Sequence, residues 1–588
     1  MFKKQKLILF LLTFCFWQLV FAQVKETKKD SSEVYNQIQT YSKKNKFTKL
    51  VHKLVFRPVN VKTKKTKVIP KRYTKFEGKI IRNINIVTLD PFGYSEIDTT
   101  RKPKNWAERS GNRIHIKTKN LAIRNLLLIQ KNKPLDSLLV KESERLIRMQ
   151  RYISRVDITP QLIPKNQDSV DIFIRVLDSW SIIPKGSISS SRSNFELNDR
   201  NILGSGHEFN NKFKNRFSDR KSAYSLAYTI PTIKNTFIKT TVSYSIDLED
   251  YYSKSINFDR PFYSAFTKWA GGVYFDQQFI KDSLADSNAL FANQNFKHNS
   301  QDLWLGHAFT ILKGNSESVR TTNLVVAGRF LNVNYLESPS IEYDPTNFYS
   351  DEKFSLIGIG ITSRKFVQDH YIFNNGIIED VPIGKIFGIT SGYQYKNNFG
   401  RYYFGARAAF GNFYKWGFLS ANFELGTFLK KSNTKQTAFS FQANYFTSLI
   451  SLGKWKLRQF IKPQFIIGFN RVNIIGDNLT INENYGIQGF NSPEYGTEKA
   501  ILTFQTQAYA PWNLWGFRLN PYFNYSIAML GNAKKGLLEN KAYSKIGVGF
   551  IINNDFLIFK SFQISLSYYP SIPGEGHNIF KTNSFETT

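Results

Sequence analysis

The stretch Phe354-Ser355-Leu356-Ile357-Gly358-Ile359-Gly360-Ile361-Thr362-Ser363 decides the fold. Isoleucine returns at every second position with glycine between, so a strand carries one apolar face and one bare face, whereas a helix scatters the isoleucines around its axis. The same two-residue period recurs in Ala223–Ile230, Phe237–Ile246, Trp269–Phe275, Asn323–Tyr335, Ile386–Tyr395, Tyr402–Phe410, Ala438–Tyr445 and Ala500–Tyr509. Clusters of Asn, Gly, Asp, Ser or Lys separate these segments. From residue 184 to residue 588 helical periodicity is nearly absent. Strands at this spacing build a sandwich, a propeller or a barrel.

Composition narrows the choice. The chain has 588 residues, 80 Lys+Arg against 45 Asp+Glu, 9 Trp, 30 Tyr, 52 Phe and one cysteine. One cysteine excludes a disulfide framework, Cys-based zinc sites and iron–sulfur clusters. Mean hydropathy is −0.34, which rules out a helical membrane protein. The aromatic residues crowd segment ends, as in Tyr402-Tyr403-Phe404, Phe413-Tyr414-Lys415-Trp416 and Phe523-Asn524-Tyr525, a pattern suited to the girdles of a membrane barrel.

The amino terminus reads as an export signal. Lys3, Lys4 and Lys6 precede an apolar run from Leu7 to Val20, and Val20-Phe21-Ala22 offers a cleavage site before Gln23. The run is short for a membrane span. The lone Cys15 falls inside it, so the exported chain is expected to lack cysteine. Residues 1–82 carry 21 Lys+Arg and 4 Asp+Glu, a balance of +17 within the total of +35. Within that basic stretch Val34, Ile38, Tyr41, Phe47, Leu50, Val51 and Leu54 recur at helical spacing. A basic segment of this kind either touches acidic lipid or a partner, or is a helix with a solvated face. With export expected, the high pI does not point to nucleic acid.

Together these features predict a mainly β chain: an antiparallel transmembrane β-barrel over residues 184–588, in the outer membrane. At about 25 residues per strand and turn, four hundred residues make roughly sixteen strands. The domain order expected is a signal peptide at 1–22, a basic periplasmic segment at 23–75, a small α/β domain at 76–183 and the barrel.

The α/β domain has its own signature. Lys79–Val87 reads as a strand, Leu121–Ile129 and Ser137–Met149 as helices, and Ser154–Pro160 and Ser169–Leu177 as closing strands, with Val170, Ile172, Ile174 and Val176 on one face. The order strand, helix, helix, strand, strand resembles a POTRA domain, as do Lys141-Glu142-Ser143-Glu144-Arg145-Leu146, Arg151-Tyr152-Ile153-Ser154-Arg155-Val156 and Asp168-Ser169-Val170-Asp171-Ile172.

A POTRA unit before a barrel resembles the BamA/TamA family of outer-membrane assembly and translocation proteins. Two motifs sharpen the likeness. In Phe195-Glu196-Leu197-Asn198-Asp199-Arg200-Asn201-Ile202-Leu203-Gly204-Ser205-Gly206, the residues Asn201, Gly204 and Gly206 match the family's turn between early strands. Ile487, Gln488, Gly489 and Phe490 stand where the family has a Val/Ile-Arg-Gly-Phe/Tyr motif on a loop folded into the lumen. The resemblance implies that Gln488 replaces an arginine, and that Gln507 and Asn524 replace its acidic partners. Neutral amides can still bond each other without a stranded buried charge.

The first barrel strand, Gly186-Ser187-Ile188-Ser189-Ser190-Ser191-Arg192-Ser193, is small and polar, and Ser187, Ser189 and Ser191 offer little area to hold a partner strand. A weak seam against the last strand would let the barrel open sideways; an ordinary turn segment is the competing reading. The last clear strand is Phe562–Tyr569, and Phe585-Glu586-Thr587-Thr588 lacks a terminal aromatic.

No catalytic constellation emerges. The histidines are scattered, no His-Glu-x-x-His or Gly-x-Ser-x-Gly occurs, and no cofactor or metal site is expected. The reading is therefore an assembly or translocation factor that captures strands of unfolded outer-membrane or exported polypeptides by β-augmentation, with outer-membrane lipid and periplasmic or lipoprotein accessory subunits as partners. A passive channel or structural barrel is the alternative.

Overall fold

The computed structural model describes residues 73–582, apart from short gaps at 165, 287, 289, 374, 376, 432, 473–474, 515–516, 533–535 and 555–560. The expected signal peptide and nearly all of the basic segment lie outside the described residues, as does the extreme carboxyl end.

The first unit comprises β1 (Ile80–Leu89), α1 (Trp106–Ile114), α2 (Asn120–Arg124), α3 (Ser137–Arg148), β2 (Ile153–Ile163) and β3 (Asn166–Asp178). Its sheet has the order β1-β3-β2, with β1 parallel and β2 antiparallel to β3. Val170, Ile172, Ile174 and Val176 are fully buried on one face of β3, against Ile123, Val140 and Ile147 of the helices. Helix α3 starts where Asp136 accepts hydrogen bonds from the Leu138 and Leu139 amides, a cap worth about 1 kcal/mol. The sequence reading missed α1, whose polar, arginine-containing sequence lacks a continuous apolar stripe, and α2 is shorter than expected.

The rest of the chain is one antiparallel meander. It begins with β4 (Ile182–Ile188), β5 (Arg192–Ile202) and β6 (His207–Arg216) and ends with the strand Gly576–Thr582, each strand pairing with its neighbours in sequence. The meander holds twenty-two strand segments rather than sixteen. Two of them, Ile450–Leu452 and Asn513–Leu514, only continue their predecessors across a break. The expectation fell short because most turns are of a few residues, so each strand with its turn takes less chain than assumed. The strand Ser561–Ile572 is also not the last, since Gly576–Thr582 follows it.

The pleat sorts residues by polarity. In the strand Phe517–Gly531, Asn520, Tyr522, Asn524, Ser526, Ala528 and Leu530 are buried on one face, while Leu519, Pro521, Phe523, Tyr525, Ile527 and Met529 occupy the other. In the strand Glu352–His370, Ile357, Ile359 and Ile361 are exposed together. An exposed apolar face opposite a polar one is the arrangement of a sheet that faces lipid outside and water or protein inside.

Strand order brings the last strand beside the first. The two strands are hydrogen-bonded neighbours in that order.

Candidate functional site

Three constellations stand out, two at the end that carries the α/β unit and one at the opposite end. The first is a polar joint between the two units. Asp178, the last residue of β3, is fully buried and accepts hydrogen bonds from the Thr118 amide (2.8 Å) and the Thr118 hydroxyl (2.8 Å), with His115 Nε2 at 3.0 Å. Asn201 Nδ2 donates in turn to Thr118 Oγ1 (2.9 Å), and Asn201 Oδ1 accepts from the Gly206 amide (2.7 Å). The Lys119 amide closes the joint on the Gly204 carbonyl (2.8 Å).

The glycines of this turn are required. Gly204 and Gly206 have φ of 71° and 78°, and a β-carbon would lie 2.1 Å from the Lys117 carbonyl oxygen at Gly204 and 2.8 Å from the Tyr152 hydroxyl at Gly206. The sequence motif marks a turn between strands. The structure gives it a second task, seating the α/β unit on the barrel end.

Other turns at the same end also grip the α/β unit. Phe237, from the connection 231–238, enters that unit's core and stacks on Tyr263 at 3.9 Å. Asn235 Nδ2 donates to the Asn125 and Leu127 carbonyls, Arg320 pairs with Asp136 (2.5 Å), and Lys141 pairs with Glu317 (2.9 Å).

The second constellation is a hairpin that sequence reasoning missed. The strands Glu352–His370 and Ile378–Lys396 pair with each other from Glu352↔Lys396 out to His370↔Ile378. Their outer neighbours stop pairing at Ser363 and Gly384, so residues 364–383 project past the sheet. Ile372 and Val381 are buried against Phe418, Phe446 and Phe460, which lie on three later strands. The Arg458 guanidinium, 2% exposed, donates to the Tyr371 carbonyl (2.7 Å), the His370 carbonyl (2.8 Å) and Asp369 Oδ2 (2.7 Å). Tyr509 Oη donates to the Ile372 carbonyl and Asn375 reaches Asn520.

From the other side α3 clasps the hairpin. Arg148 makes a bidentate pair with Asp380 (2.8 and 2.9 Å), and the Arg145 guanidinium lies 4.0 Å from the Phe366 ring centroid. The hairpin thus folds inward across the strands that follow it, at the end that carries the α/β unit. Above it lies a cavity of about 650 Å³ against the glycine-rich wall of Gly358, Gly360, Gly388, Gly405 and Gly426, bordered by Arg364, Arg407 and Glu424.

The third constellation is the long connection 470–497, which leaves the opposite end. Ile481, Ile487 and Phe490 are fully buried against Ile501, Ala528, Leu530, Tyr543, Tyr569 and Ile572, the inward residues of the last strands. Gly489 has φ of 79°, and the Gly489 amide donates to Glu483 Oε2 (3.2 Å). Tyr569 Oη donates to the Gln488 carbonyl (2.6 Å) and Lys581 Nζ to the Gly489 carbonyl (2.8 Å). Asn482 braces the loop through both the amide and the carbonyl of Ser492.

The expected partners of Gln488 are therefore corrected. Among the described residues no hydrogen bond joins the Gln488 side chain to Gln507 or Asn524. Gln507 Nε2 donates to the Ala508 carbonyl, and Asn524 Oδ1 accepts from Ser526. The loop packs at the level of Ile501 and Ala528; at about 3.4 Å per residue, Gln507 and Asn524 lie roughly 20 and 14 Å farther along their strands. The backbone of Gln488, not its amide, is held.

Ile487→Ala leaves a cavity at a fully buried position and should cost docking about 2–4 kcal/mol, whereas Gln488→Ala should cost close to nothing. Labelling of a cysteine placed at Ser492, 4% exposed in the docked loop, measures the difference in intact barrels: the first variant speeds labelling and the second leaves it unchanged.

The seam residues are also redistributed. Ser187 lies in β4, but Ser189 and Ser191 belong to the turn before β5, where Ser189 Oγ accepts from the Arg192 amide (3.1 Å). Serine bonds its own backbone here, which favours a turn over a strand. The edge itself is formed by Ile182–Ile188, with Pro184 and Gly186 in it and Ile188 83% exposed.

No protein-family model matches the sequence, and no curated protein matches it. Solved structures similar to the chain include CdiB from Acinetobacter baumannii (10% identity, 95% of this chain and 98% of that chain, TM-score 0.38) and CdiB from Escherichia coli (9%, 95% and 98%, TM-score 0.39). BamA from Haemophilus ducreyi lacking POTRA domains 1–3 is similar at 11% identity over 86% of this chain and 85% of that one, with a TM-score of 0.31.

Proposed function

We propose that this chain is an outer-membrane assembly or translocation factor for outer-membrane or exported polypeptides. In this reading the meander is a transmembrane barrel, residues 73–178 form a POTRA-like unit in the periplasm, and an incoming strand is held first at an open sheet edge and then at the seam. The observation that supports it is the seam strand β4, only seven residues long and interrupted by Pro184 and Gly186, beside the last strand. A strand edge with unpaired backbone groups recruits another strand. Pro184 removes one donor and Gly186 removes side-chain packing, so the native partner is held weakly there. On the α/β unit the outer edge of β2 pairs with no strand among the described residues, while part of β1 is bonded by the Lys133 and Leu135 backbone.

The test is a photo-crosslinking residue at Ser187 in the intact protein. Adducts with newly exported outer-membrane polypeptides are expected; adducts confined to the chain's own last strand would overturn the reading. A passive channel is the competing function, favoured by the polar inner face of strands such as Phe517–Gly531. Depletion separates the two, since broad loss of other barrels accompanies the first and altered solute permeability alone the second.

A further inference from the structure

The joint between the units presents a surface that the capture mechanism does not use. Between the carboxyl end of α1 and α2, Ile114, Ile116 and Leu121 are 59%, 49% and 65% exposed, while His115 and Thr118 between them are buried in the joint. Leu203, at φ of 52° in the turn after β5, is 63% exposed. Two contacts bring the segment 114–121 against the turn that carries Leu203. The Lys119 amide bonds the Gly204 carbonyl, and an Ile116 methyl lies 3.5 Å from where a β-carbon on Gly204 would be.

Charge accompanies this patch. Arg113, Lys119 and Arg124 are exposed on the same segment, and residues 113–124 contain no acidic side chain. Two acids face this segment and both are buried: Asp90, paired with Lys117, and Asp178, held in the joint by His115 and Thr118. Apolar side chains interleaved with cations suit the boundary between lipid headgroups and acyl chains, where each cation near an anionic surface adds about 1 kcal/mol.

The patch also lies at the depth this boundary requires. On β6, Phe209 and Phe213 pair with Tyr228 and Tyr224 of the next strand, forming an aromatic face, and the alternate residues Asn210, Lys212 and Lys214 form the other. The aromatic face continues the outward apolar band. Leu203 lies a few residues beyond Phe209, roughly 10 Å along the strand direction, close to the depth of one headgroup layer. The patch is thus continuous with the surface that faces lipid, and it borders β4 at the seam.

We propose that Ile114, Ile116, Leu121 and Leu203 with the cations around them form a membrane-contacting rim that seats the α/β unit on the bilayer surface beside the seam. The occupant is phospholipid with an anionic fraction. Such seating would hold the unit's sheet at a fixed height and orientation relative to the barrel edge, and would place the seam next to lipid already loosened by inserted side chains.

This seating rests on the proposed reading only in that the meander must span a bilayer, and the experiment separates the two claims. In the full chain carrying Cys15→Ser, single cysteines at Leu121, Ile359 and Leu162 are labelled with a polarity-sensitive fluorophore and reconstituted in phosphatidylethanolamine/phosphatidylglycerol bilayers. Headgroup-level nitroxide lipids should quench the probe at Leu121 several-fold more than the probe at Leu162, an exposed residue of β2. The Ile359 probe, read with acyl-chain nitroxide lipids, reports the outward band. Quenching at Ile359 with a water-like probe at Leu121 overturns the rim and leaves the membrane reading intact; no quenching at Ile359 overturns both. Lys119→Glu with Arg124→Glu should reduce quenching at Leu121, more so as the phosphatidylglycerol fraction rises.

Discussion

Excising the projecting hairpin, by joining Lys365 to Ile383 through an Asn-Gly turn, should raise single-channel conductance in planar bilayers by roughly tenfold or more. Lys365 and Ile383 face each other across the ladder, so a two-residue turn can close the shortened hairpin without shifting register. A barrel of more than sixteen strands is wide enough to leave an aqueous channel unless something fills it. What folds in at the α/β end here is the hairpin 364–383, held by Arg458 on a later strand and Arg148 on α3. Arg458→Ala is the milder version. It removes a nearly buried guanidinium from three carbonyls and Asp369, at a cost of about 3 kcal/mol, and should produce intermittent openings rather than a permanent pore. Unchanged conductance in the excised variant would mean that the hairpin does not control passage. Because Arg148 and Asp380 link the hairpin to α3, movement of the α/β unit and opening of this end would be coupled in the native protein.

The second large effect concerns the joint. Asp178→Ala leaves the Thr118 amide, the Thr118 hydroxyl and His115 without their shared acceptor in a fully buried site, and should weaken the seating of the α/β unit by about 3–5 kcal/mol. Hydrogen exchange is the measurement. Residues 113–124 and 199–207 should lose protection while the strands 352–396 keep theirs. Gly204→Ala attacks the same joint from the other side, through a β-carbon 2.1 Å from a carbonyl at positive φ, and should give the same exchange pattern. Equal protection in both variants and the native chain would show that the units are joined elsewhere, by Phe237 and the α3 ion pairs.

Much of this protein is written locally. The alternation at Ile357, Ile359 and Ile361 specifies a strand with an outward apolar face, because the pleat repeats every two residues whatever surrounds it. The alternation at Val170, Ile172, Ile174 and Val176 does the same for β3, and the glycines 204 and 206 announce a turn that only a residue tolerant of positive φ can make. What sequence spacing could not carry is which distant groups meet. Gln488 invited a search for amide partners, yet Tyr569 and Lys581, some 81 and 92 residues away, hold the backbone of that motif, and any side chain at 488 would have allowed it. Asp178 gave no sign that it would meet Thr118 and the turn at Asn201. Arg458 looked like one more strand residue, because its partners arrive on a hairpin 87 to 89 residues earlier. The strands follow from periodic side-chain chemistry. The joint, the hairpin at the barrel end and the meeting of first and last strands follow from closure, which brings together positions that no local period relates.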